Sequence, residues 1–347
     1  MNINKLDYHA SPELHRVIAS IGRTEDVKFS ADEKLLAVVD FLVDKVHLFK
    51  ISLENDELSQ SITLSQCITI SSDDFKRPHG LFFLGCEHFV VTNRAGDIAL
   101  FKCPIATVEV SEIKLAPIAI FRGRRFLGRI YSPGSVASYQ ISDNVHRVMV
   151  CNNYWNTIVS FTVELTDGVR IKNNGVLIKK GLSTPDGISI SPDQKWVAVS
   201  NHDTSAVLVY PLTSILNRFT APAGVLTGVA YPHGIRFSND GKKLFVADAG
   251  RQYLHIYESS DGCWDKSLEP WKSIKMVTDD IFSKAIMTPE EGGLKGIDIA
   301  NSDKLFLASA EYQVLDFYAV NEVLDVPISS VEQYIIKKNI QQDRAIG

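Results

Sequence analysis

No run of about 18 apolar residues occurs in this 347-residue sequence, so no segment is long enough to cross a bilayer as a helix. The first residues, Met1-Asn2-Ile3-Asn4-Lys5-Leu6-Asp7, lack the apolar core of a secretion signal. Cysteine is scarce: Cys67, Cys86, Cys103, Cys151 and Cys263 are odd in number and have no close pairing. They read as reduced thiols, and the expected location is cytoplasmic. CxxC, HExxH, P-loop and Rossmann glycine patterns are all missing, which removes the commonest zinc, nucleoside triphosphate and dinucleotide sites. There is no low-complexity tract and no block of one charge, and the net charge is −5. That balance argues against nucleic acid or an acidic membrane surface as the main partner. A small-molecule substrate, or a protein partner, fits it.

What the sequence does contain is a sixfold pattern. A short strand opens beside Glu25, His79, Ala137, Asp186, His233 or Lys295. A second strand then ends in Asp40, Asn93, Asn152, Asn201, Asp248 or Ser309. Eight or nine residues later comes an aromatic: Phe49, Phe101, Phe161, Tyr210, Tyr257 or Tyr318. The openings lie 54, 58, 49, 47 and 62 residues apart, about the length of one four-stranded propeller blade plus loops. Turn residues such as Ser238-Asn239-Asp240-Gly241 join the first two strands. Apolar runs such as Val197-Ala198-Val199 suit sheets packed on both faces.

The expected fold is therefore all-β: one six-bladed β-propeller of four-stranded antiparallel blades, filling residues 1–347 as a single domain. The blades run over roughly 24–70, 78–121, 135–180, 185–229, 232–278 and 294–323. Residues 14–21, read as an N-terminal strand at Leu14-His15-Arg16-Val17-Ile18, close the last blade and remove an open edge. The stretch Ser329 to Lys338, with Val331, Tyr334 and Ile335, reads equally as helix or competing strand, and the sequence assigns no role to the segment 324–347.

In a blade, the start of strand one and the end of strand two share one face of the disc. The opening residues then form a ring around the channel mouth. Pro before and Gly after frame several of them, as in Pro78-His79-Gly80, Pro185-Asp186-Gly187 and Pro232-His233-Gly234. The turn explains the frame but not the residue inside it, which is ionisable five times in six. His79 and His233 fall in blades two and five, across the channel. They can share one divalent metal ion, Ca, Zn or Mn, with Glu25 or Asp186 completing the shell. Asp186, His79, His233 and Lys295 are the catalytic candidates. Arg122, Arg124 and Arg125, on a long connection, suit capture of an anionic group. Asn152, Asn201, Asp248, Trp155 and Tyr312 border the same mouth as further substrate contacts, although Asp or Asn at a strand end also caps the next turn.

The stretch from Pro232 to Asp248 resembles the blade signature of the NHL-type repeats, the YVTN-type lactonase-like repeats and the senescence-marker-protein/gluconolactonase family. Degraded copies cover nearly the whole chain. Resemblance to the last family implies a metal held by an early Glu, an Asn, and an Asp in Pro-Asp-Gly that doubles as general base. Glu25 and Asp186 match two of these, while the blade before Pro185-Asp186-Gly187 carries Ala137-Ser138. The Pro-His-Gly motifs resemble instead the histidine-lined channels of propeller lyases. The expected function is a metal-dependent, lactonase-like hydrolase for a small polar or anionic substrate, with a lyase as its variant. The alternative from another class is a non-catalytic propeller that presents its faces to a protein.

Overall fold

The computed structural model describes residues 3–56, 59–123, 128–285 and 291–327. Six mainly antiparallel sheets stand in a ring, and each first strand touches the first strands of the blades on either side. These first strands are Thr24–Phe29, Pro78–Leu84, Pro133–Ser142, Pro185–Ile190, Pro232–Phe237 and Ile297–Ile299. The six strand-three aromatics, Phe49, Phe101, Phe161, Tyr210, Tyr257 and Tyr318, are fully buried between blades, as the pattern requires. Tyr210 and Tyr257 also donate their hydroxyls to Lys180 and Thr227 carbonyls at 2.7 Å, which ties strand three to an incoming connection.

One expected element takes a different form. Leu14–Ile18 belongs to the helix Pro12–Ser20, not to a strand of the last blade. Ser11 caps it by accepting from Leu14 N, Pro12 occupies its first turn, and Leu14 and Ile18 bury one helical face. The sixth sheet has three described strands, Ile297–Ile299, Leu305–Ala310 and Gln313–Ala319. The N-terminus does reach it, through Leu6, whose N–H donates to the Phe317 carbonyl at 2.8 Å. The segment 328–347 lies outside the described residues.

Five first strands open with a register shift, at Thr24/Val27, Pro78/Gly80, Pro133/Val136, Pro185/Ile188 and Pro232/Ile235. In each, the residue just before the shift pairs with the strand-two end: Thr24 with Asp40, Pro78 with Asn93, Pro133 with Asn152, Pro185 with Asn201 and Pro232 with Asp248. A bulge re-aims the side chain that follows. This register corrects the third blade. Its ring position is Gly134, after Pro133, and Ala137 lies further along the strand in the core. The frame glycines serve close approach between blades: a Cβ on Gly187 would stand 2.0 Å from the His233 carbonyl oxygen.

Candidate functional site

The strand-two ends hold the ring in place. Five of the six place a side-chain oxygen on the backbone N–H three residues before the ring position. Asp40 accepts from Gly22, Asn93 from Lys76, Asn152 from Tyr131, Asn201 from Ser183 and Asp248 from Ala230. Asn152 and Asn201 also spend their amide N–H groups on loop carbonyls and hydroxyls, and Asp248 accepts from His255. The structure thus gives Asn152, Asn201 and Asp248 a positioning part at the mouth.

Glu25, His79, Asp186, His233 and Lys295 converge and are all buried. Glu25 Oε2 lies 3.2 Å from His233 Nε2 and 3.6 Å from both His79 Nε2 and Lys295 Nζ. Asp186 Oδ2 lies 3.1 Å from His233 Nε2 and 3.8 Å from His79 Nε2. Around this core stand side chains that the ring pattern did not select. Arg94 pairs with Asp186 Oδ1 and places Nη2 3.0 Å from His79 Nε2. Asn153 donates to Asp186 Oδ1 at 3.2 Å, and His202 Nε2 lies 3.5 Å from Asp186 Oδ2. Arg23 bridges Glu25 and Glu291, and Lys295 Nζ meets Glu291 Oε2 at 3.0 Å.

Three of these extra groups share a register. Arg94, Asn153 and His202 each follow a strand-two end, at Asn93, Asn152 and Asn201. The strand-end side chain turns to the loop, and the next one turns to the mouth. Asn153 thereby brings an amide to Asp186 from the blade whose ring position is only Gly134.

Charge sets the protonation of the cluster. Burial alone would raise Asp186, but Arg94 and the three neighbouring histidines hold it well below the usual carboxylate range. Burial likewise opposes ionisation of Glu25, and Lys295, His233, Arg23 and His79 outweigh it. Glu291 is lowered to about 2, Lys295 outweighing burial. Burial lowers His79 to about 3, aided by Arg94, and lowers His202 to about 4. At neutral pH the two acids of the ring are ionised and these two imidazoles are neutral.

The arrangement suits a metal ion. Glu25 Oε2, Asp186 Oδ2 and His202 Nε2 are buried and make no well-aligned hydrogen bond, although His233 Nε2 stands 3.2 and 3.1 Å from the two oxygens, a costly state for charged groups. Glu25, His79 and His233 offer ligand atoms within 4.8 Å of one another. Ligands about 2.1 Å from a tetrahedral ion stand roughly 3.4 Å apart, and Glu25 Oε2 lies 3.2 Å from His233 Nε2 and 3.6 Å from His79 Nε2.

Trp155 and Tyr312 are exposed, and Tyr154 stands beside Tyr131 with ring centroids 5.8 Å apart. Arg122 is exposed, while Arg124 and Arg125 lie outside the described residues.

A family model described as "Lactonase, 7-bladed beta-propeller" matches residues 25–215. The described residues of this chain form six sheets. No curated protein matches the sequence. Among solved structures, a luciferin-regenerating enzyme is similar at 13% identity and a TM-score of 0.53, covering 86% of this chain and 92% of that one. A gluconolactonase from Xanthomonas campestris is similar at 11% identity and a TM-score of 0.51, with 87% of each chain covered. A functionally unknown protein from Desulfotomaculum acetoxidans is similar at 13% identity and a TM-score of 0.55, covering 86% and 83%. At these identities the likeness shows the propeller fold.

Proposed function

This chain belongs to that lactonase propeller family, and from there we propose that it is a metal-dependent hydrolase that opens a small anionic lactone or related ester at the Glu25 mouth. The observation that carries the reading is the convergence of unpartnered Glu25 Oε2 and Asp186 Oδ2 on the imidazoles of His79 and His233. The gluconolactonase among the similar structures supports it. Two imidazoles with two carboxylates favour Zn or Mn over Ca, which prefers an all-oxygen shell.

Glu25, Asp186, His79 and His233 would hold the ion. When bound, it supplies positive charge that polarises a carbonyl and acidifies bound water. Hydrolysis of a lactone adds water to the carbonyl carbon and delivers a proton to the departing ring oxygen. His202 Nε2, neutral and unpartnered, is placed to hold that proton beside Asp186. Arg94 holds the same carboxylate through Nη2, and its unpartnered Nη1 would donate to an anionic substrate group. Arg23 and Lys295 share Glu291, so a substrate carboxylate competes for the same two cations.

A second reading rests on charge. Arg23, Arg94 and Lys295 already balance Glu25, Asp186 and Glu291, and Arg94 Nη2 reaches His79 Nε2. A cluster so balanced can bind an anion without a metal. The test is a panel of neutral and anionic lactones assayed by acid release after dialysis against chelator and repletion with Zn, Mn or Ca. Hydrolysis restored by Zn or Mn supports the first reading. Hydrolysis indifferent to chelation supports the second, and a folded protein inert on the whole panel overturns both.

A further inference from the structure

The channel has another end. First strands run from the Glu25 mouth to the turns on the opposite face of the disc. There Lys28, Phe82, Ser138, Ser189, Arg236 and Asp298 line a cavity of about 230 Å³. That is room for roughly seven waters, or for one small molecule.

Lys28 is the unusual wall. It is only 4% exposed, and its Nζ has no hydrogen-bond partner. Asp26 Oδ1 and Asp298 Oδ1 each lie 3.7 Å away, beyond hydrogen-bond reach. Both carboxylates are pinned elsewhere. Asp26 accepts from Val27 N and from Leu81 N of the next blade, each at 3.0 Å. Asp298 accepts from Phe29 N at 2.8 Å and from Arg236 Nε. They fix neighbouring first strands together and cannot close on the ammonium without releasing those bonds. The Phe82 ring centroid, 6.0 Å from Nζ, offers only its π face. Ser138 Oγ is also buried and unpartnered. An ammonium with three donors and a hydroxyl therefore border one cavity without an acceptor, and leaving such groups unmet is costly. Among the charged side chains lining the space, Lys28 and Arg236 are cationic and Asp298 is anionic.

We propose that this end of the channel binds a small oxyanion, a carboxylate or a phosphate, with Lys28 Nζ and Ser138 Oγ as its donors and Arg236 at its wall. The site is separate from the Glu25 mouth and does not depend on how that mouth is read. Calorimetric titration of the full chain with inorganic phosphate and, separately, with acetate tests it. Lys28→Met, Lys28→Arg and Arg94→Ala are measured alongside wild type, each after its unfolding midpoint is recorded. Wild type and Arg94→Ala should bind at least one of the two anions, Lys28→Met should bind it at least tenfold more weakly, and Lys28→Arg should recover part of the loss. If Lys28→Met does not fold, Ser138→Ala takes its place, with a loss of at least threefold expected. The preferred anion assigns the ligand class. Absence of saturable binding in wild type overturns the proposal. So does binding that disappears in Arg94→Ala, or that is unchanged in Lys28→Met.

Discussion

Asp186 meets Arg94, Asn153, His79, His202 and His233 within one buried pocket. Arg94→Ala removes the largest influence that keeps it ionised. The expected outcome is a drop of about 10²-fold in kcat/KM for an anionic lactone, the scale of losing one preorganised charged donor. A neutral lactone should lose less, and steady-state kinetics on the pair checks this. One layer below, burial pushes Asp26 to about 7, with Asp298 adding to the rise and Arg236 opposing it. The folded chain therefore keeps a proton there that the unfolded chain releases near pH 4. Stability due to that proton is complete below about pH 4 and lost as pH climbs through about 7. Urea midpoints of wild type should fall relative to Asp26→Asn between pH 4.5 and pH 8, and a constant gap would refute the assignment. The ring residues Glu25, His79, Asp186, His233 and Lys295 were legible because their repeat frames an ionisable side chain where the turn demands none. Arg94, Asn153 and His202 were not. They follow capping residues by one position, and only the resolved turn shows which of the two side chains faces inward. Gly134 carries no chemistry for a residue pattern to show, although Pro133 before it marks the frame.

The Pro-x-Gly frame is an element with two tasks. The bulge turns the middle residue into the mouth, and the glycine lets two first strands approach. Gly187→Ala would force a methyl into the His233 carbonyl oxygen. A loss of about 2–3 kcal/mol is expected from such overpacking, read from urea unfolding, and the His233 imidazole should shift with it. The helix Pro12–Ser20 shows the opposite lesson. Its sequence does carry helix signals: Ser11 before Pro12 and Glu13, then Leu14 and Ile18 four apart. Those local cap and spacing signals decide the segment's form, and the blade count does not. The third-strand aromatics are legible in sequence because interblade packing leaves a fixed spacing in the chain.

At the scale of the whole molecule, the ring closes where the N-terminal segment touches the last described sheet. Leu6→Pro deletes the donor to Phe317, and an unfolding midpoint lower by the worth of about 1–3 kcal/mol is expected. An unchanged midpoint would mean that the sixth sheet stands without that bond. The propeller itself serves chemistry by bringing ionisable groups from blades one, two, four, five and six to one point, where separation in sequence is large and separation in space is under 4 Å. Such convergence is what a metal ion needs, and metal content tests it most directly. Tag-free protein is dialysed against equimolar Zn, Mn and Ca, desalted and analysed for elements, with the His79→Ala/His233→Ala double variant beside it. The structure predicts close to one Zn or Mn per wild-type chain and almost none in a folded double variant. A folded wild-type chain that retains no Zn or Mn, or a double variant that retains as much as wild type, would contradict the metal centre.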